Sequence, residues 1–149
     1  MIGRGIATLA IIAFGYVVAV CAATIVTVAL ILTFLITMDS GAAGAVSTLL
    51  GALPAILMTG FVWTFFCAFP GFVVAILLGE RQGWDRWRSY AVAGLVNAAA
   101  ALAIFAVFVD WPFASPAMVA ASFPGGFAGG AAYWAGAGRL AVRRRRLAA

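Results

Sequence analysis

Glu80-Arg81-Gln82-Gly83-Trp84-Asp85-Arg86-Trp87-Arg88 is the one place in the interior of this chain where charge gathers, and it stands between two long apolar runs. Three of the nine basic residues fall here, at Arg81, Arg86 and Arg88. One lies near the start, at Arg4, and five lie at the end, at Arg139 and Arg143 to Arg146. The two other connections, Met38 to Ala45 and Asp110 to Pro116, hold no Lys or Arg and one aspartate each. Basic residues in short loops stay on the cytoplasmic side of a membrane, so this distribution assigns both termini and the 80–88 loop to one side. The expected fold is an all-α membrane protein with four transmembrane helices and both ends cytoplasmic.

Composition agrees. Hydrophobic residues make up 66% of the 149 and charged residues 9%, with a mean hydropathy of +1.17. A soluble domain is nearer ~50% apolar and ~25% charged. The spans fall at about 5–38, 46–79, 89–109 and 117–138, with an Arg-rich cytoplasmic tail at 139–149. About 20 helical residues cross a bilayer core, which spans three and four match. Spans one and two are longer by about ten residues and should tilt, bend or project beyond the hydrocarbon. Pro54 and Pro70-Gly71 are the expected bends of the second, as a single kinked helix. A re-entrant loop there would free backbone groups with no polar side chain nearby to satisfy them. The first run continues to Met38, past the ~7–15 apolar residues of a signal peptide, so we expect an uncleaved first span.

Span four carries the densest local pattern, Phe123-Pro124-Gly125-Gly126-Phe127-Ala128-Gly129-Gly130. Gly125/Gly129 and Gly126/Gly130 are two overlapping small-xxx-small frames, and Ala117 and Ala121 extend the first backward. Such faces let helix backbones approach closely and gain van der Waals contact. Span three offers Ala93, Asn97 and Ala101, and Gly94 with Ala98, at the same four-residue spacing. These faces are expected to pack within the monomer first, and between chains as the sharper alternative. Asn97 is the amide nearest mid-membrane depth and requires a partner, with Thr24, Thr27, Thr59, Thr64 and Ser122 as candidates. The alternative role for Asn97 is a substrate or ion site.

Read as helix, the 80–88 loop would pair Arg81 with Asp85 at i,i+4 and set Trp84 beside Trp87. Arg81, Trp84, Arg86, Trp87 and Arg88 are then expected at headgroup depth, as topogenic charge and aromatic belt, or as a docking surface for a partner. The tail Arg143, Arg144, Arg145 and Arg146 follows the same logic, with ~1 kcal/mol per Arg near an anionic leaflet. The partners expected are anionic lipid headgroups and other membrane subunits or copies of this chain. Nucleic acid is not expected, because the arginines form short clusters rather than a continuous basic face.

Much chemistry is excluded by what the chain lacks. There is no His and no Lys, and the four carboxylates, Asp39, Glu80, Asp85 and Asp110, all sit at the ends of spans. Imidazole ligands for haem or metal are therefore absent. A Ser, Thr or Cys nucleophile would have neither His nor Lys to activate it. Cys21 and Cys67 lie within apolar runs, where a thiol behaves as a small hydrophobe. We expect no catalytic residue, no cofactor and no metal.

The runs Phe69-Pro70-Gly71-Phe72-Val73-Val74-Ala75-Ile76-Leu77-Leu78-Gly79-Glu80 and Arg88-Ser89-Tyr90-Ala91-Val92-Ala93-Gly94 resemble small four-span inner-membrane proteins of alphaproteobacteria. Gly129-Gly130-Ala131-Ala132-Tyr133-Trp134-Ala135-Gly136-Ala137-Gly138-Arg139 is similar to their final helix. The resemblance covers about 69–139 and implies topology and a bacterial source; it brings no activity. Phe-Pro-Gly recurs at 69–71 and 123–125, in the two spans that run toward the cytoplasm; two related hairpins would place it so, but the distances from Pro70 to Arg81 and from Pro124 to Arg139 differ, and chance use of Pro and Gly in membrane helices is the favoured reading. The expected function is a non-catalytic accessory subunit of a bacterial inner-membrane complex, of respiratory or photosynthetic type, acting by helix packing and lipid contact. The alternative is a small oligomeric transporter or channel.

Overall fold

In the computed structural model, residues 2–38, 43–84, 86–108 and 116–140 are described. They form four helices and no strand: α1 (Ile2–Met38), α2 (Ala43–Gln82), α3 (Trp87–Phe108) and α4 (Pro116–Tyr133), the last continued by a π-turn at Trp134–Gly138. Three apolar segments among the described residues are long enough to cross a membrane: Ile6–Thr37, Leu50–Gly79 and Trp87–Ile104. These segments mark the chain as a membrane protein.

At 1.5 Å rise per residue, α1 and α2 run to about 55 and 60 Å, against a bilayer core of ~30 Å. Both are unbroken, and α2 carries Pro54 and Pro70 inside its helix without dividing into two. The fourth helix differs from expectation. It has 18 residues and is not among the segments apolar enough to span by composition. The physical reason is its use of glycine and proline where the other helices carry branched side chains. It trades lipid-facing bulk for helix-facing flatness.

Consecutive helices run antiparallel, with α4 pressed most closely against α1 and next against α3. α2 leans on α1 and α3 and has no backbone contact with α4. The start of α1, the 82–87 connection and the end of α4 therefore share one end of the bundle. Ala117, Ala121, Gly125, Gly129 and Tyr133 are the buried residues of α4, one every fourth position. The other side of the molecule is open: no residue of the most apolar window of α2 is buried. Its outer face presents Met58, Val62, Trp63, Phe66, Phe69 and Val74.

The interior between the helices is aromatic. Tyr16 of α1 stacks against Phe72 of α2 with ring centroids 4.3 Å apart and lies 5.0 Å from Phe65. Phe72 meets Tyr133 of α4 edge-on at 5.0 Å, and Tyr133 meets Tyr90 of α3 at 5.6 Å. Trp84 closes the row against Tyr90 at 5.7 Å. All three tyrosines of the chain are thus buried together, and edge-on or tilted ring pairs add about 0.5–1.5 kcal/mol each beyond their burial.

Candidate functional site

The two glycine frames of α4 serve two different neighbours. A Cβ at Gly125 would run into Thr27 Oγ1, and one at Gly129 would sit 3.0 Å from the Ala19 carbonyl oxygen and 3.1 Å from Ala23 Cβ, so this frame faces α1. A Cβ at Gly126 would lie 2.8 Å from Ala98 Cβ, and one at Gly130 would collide with the Tyr90 carbonyl, so that frame faces α3. Gly94 completes the α3 seam, because a side chain there would strike the Gly126 carbonyl. Close backbone approach on both sides fixes α4 as the wedge of the bundle. Gly94 and Ala98 are the surface of α3 that α4 uses.

Asn97 belongs elsewhere. It turns to α2, where its Nδ2 donates to the Ala68 carbonyl at 3.3 Å. Its carboxamide fills the space where a side chain at Gly71 would stand. This corrects the candidate partners: Thr24, Thr27, Thr59, Thr64 and Ser122 give way to a backbone carbonyl. Nearby, Pro70 has no N–H to offer the Phe66 carbonyl one turn back. Around that gap two side chains donate to neighbouring carbonyls, Asn97 to Ala68 and the Tyr16 hydroxyl to Phe65. Neighbouring helices commonly re-satisfy a proline-disturbed helix in this way. Ser122 instead donates to the Met118 carbonyl of its own helix at 2.8 Å.

The 80–88 loop is not helical throughout. Gly83 takes φ +64, and the Trp84 N–H reaches the Gly79 carbonyl at 3.0 Å. This is a left-handed C-terminal cap, which ends α2 and turns the chain before α3. The i,i+4 pairing of Arg81 with Asp85 has no helix to rest on, and Asp85 lies outside the described residues. The two indoles also part company. Trp84 packs on Tyr90, with its Nε1 donating to Gln82 Oε1 at 2.8 Å, while Trp87 stands edge-on to Phe127 at 6.1 Å. Arg81, Arg86 and Arg88 are exposed, with the Arg88 guanidinium 6.0 Å from the Trp87 ring centroid. Arg143 to Arg146 lie outside the described residues.

Two features went unnoticed in the sequence. The tyrosine cluster is one. The other is the π-turn, where the Arg139 N–H reaches the Trp134 carbonyl and the Arg139 guanidinium covers the Trp134 ring at 4.5 Å. A π-turn inside a helix often marks a place of use. Its sequence signal was the glycine spacing of Trp134-Ala135-Gly136-Ala137-Gly138, which relieves crowding in a widened turn.

Cys21 is exposed and Cys67 half-buried, and both are free thiols. Comparison of the chain with known protein families, curated proteins and solved structures finds no match.

Proposed function

We propose that this chain is a non-catalytic subunit of a bacterial inner-membrane assembly, crossing the bilayer four times with both termini in the cytoplasm. It acts by presenting helix surface to other membrane subunits and to lipid. The observation that carries this is the division of labour between its helices. Every glycine frame of α4 is used inside the monomer, against α1 and α3, whereas the most apolar window of α2 buries nothing. The small-residue faces of α4 are therefore taken, and the surface left for a partner is the Met58, Val62 and Phe66 side of α2. Four spans also agree with the antiparallel order of the helices and with the shared end of α1, the 82–87 connection and α4. The basic residues on that end favour the cytoplasm.

A transporter would need a polar, water-accessible path. The rings of Tyr16, Phe72, Tyr133 and Tyr90 occupy the centre of one half of the bundle, and Asn97 spends its amide on the Ala68 carbonyl. Both observations favour the subunit over the transporter.

The test is a photo-crosslinking residue placed at Phe66, on the open face of α2, and in parallel at Phe14, an exposed residue of α1, in cells making the full chain. A discrete protein adduct from Phe66 and lipid adducts from Phe14 are expected. Lipid adducts from both positions would contradict the proposal.

A further inference from the structure

The π-turn at the end of α4 brings an indole N–H and a guanidinium together. Trp134 Nε1 is buried and has no hydrogen-bond partner among the described residues. The indole lies along its own helix toward the C-terminal end because residue 138 is glycine: a Cβ there would stand 2.8 Å from Trp134 Cδ1. Arg139 closes over the ring, its guanidinium carbon 4.5 Å from the centroid. That contact uses the face of the guanidinium, whose N–H groups lie at its edge and remain directed to other acceptors. A buried N–H without an acceptor costs free energy, and a cation stacked beside it makes the shortage one of negative charge as well.

We propose that the Trp134–Arg139 turn is a binding site for the phosphate of an anionic phospholipid, with Arg139 gripping two phosphate oxygens and Trp134 Nε1–H donating to the same group. A phosphodiester has the acceptors in the geometry that a planar guanidinium matches. A lipid is the source, rather than a free ion, because the apolar path for its chains is already laid. Phe127 is seven residues from Trp134 on the same helix face, Phe123 is one turn further, and both are exposed. Leu140 is exposed beside the turn. The site rests on the membrane-spanning arrangement proposed above, which sets this end of α4 at headgroup depth.

The full chain, purified in an uncharged detergent, is titrated with phosphatidylglycerol, phosphatidylcholine or inorganic phosphate, and bound lipid is counted by native mass spectrometry. Wild type is expected to retain phosphatidylglycerol, and Arg139→Gln to bind it about fivefold more weakly, the share of one arginine at an anionic surface. Trp134→Phe keeps a ring for Arg139 but lacks the N–H and should also bind more weakly. Thr33→Ala, an exposed residue toward the other end of α1, should bind as wild type does. Equal affinity in wild type, Arg139→Gln and Trp134→Phe would overturn the site. So would inorganic phosphate or phosphatidylcholine binding as tightly as phosphatidylglycerol. Alkaline extraction of the membranes separates the two proposals: a chain that stays in the pellet but ignores phosphatidylglycerol refutes this site alone, and a chain that is extracted refutes the spanning arrangement.

Discussion

The carboxamide of Asn97 occupies the notch that Gly71 leaves in α2, and its Nδ2 donates to the carbonyl of Ala68, two residues before Pro70. A proline, a glycine and an amide from another helix thus make one joint between α2 and α3. Asn97→Leu removes the donor and should lower stability by about 0.6–2 kcal/mol. Gly71→Ala forces the amide out of its seat and should cost about 1–3 kcal/mol. In an Asn97→Ala background Gly71→Ala should cost much less, because the two residues contend for one space. Unfolding of the four proteins of this cycle in mixed micelles checks it, and additive costs would deny the joint.

Glycine substitutions along α4 should sort by what each glycine faces. Gly130→Ala drives a methyl into the Tyr90 carbonyl and should cost about 1–3 kcal/mol. Gly136 has nothing within 4 Å of its would-be side chain, so Gly136→Ala should be neutral or stabilising by up to about 1 kcal/mol. The same unfolding measurement compares them, and equal losses would remove the wedge role of α4.

The cap at the end of α2 predicts a cost of a different origin. Gly83 has φ +64 and open space around it, so Gly83→Ala meets no neighbour and pays only for a left-handed backbone. That should be about 1–2 kcal/mol. Gly83→Asn, which tolerates this region better, should recover part of the loss.

How much of this was legible beforehand depended on whether one stretch of chain carried the information. The arginines marked the 80–88 connection, and the four-residue spacing of Gly125, Gly126, Gly129 and Gly130 marked a packing helix, because both patterns are local. Which frame meets which helix is a matter of rotation about α4 and cannot be read from adjacent glycines. Asn97 was given side-chain partners, while the acceptor was the backbone carbonyl of Ala68 on another helix, which spacing along α3 does not announce. The helical reading of 80–88 failed at Gly83, where a glycine between Gln82 and Trp84 could have been read as a C-terminal cap. Tyr16, Tyr90 and Tyr133 meet only through the register of antiparallel helices, and nothing in their spacing announces it.

Orientation gives a further expectation. With Cys21 and Cys67 replaced by alanine, Gln82→Cys lies in the exposed connection at the arginine-rich end. In intact spheroplasts a membrane-permeant maleimide should label it and an impermeant one should not. Labelling by both reagents would turn the protein over.

The most direct test of the proposed function is the native mass of the tagged chain extracted from its own membranes in a mild detergent, with every co-purifying chain identified. A larger assembly with stoichiometric partner subunits is expected. A particle holding only this chain would contradict the account.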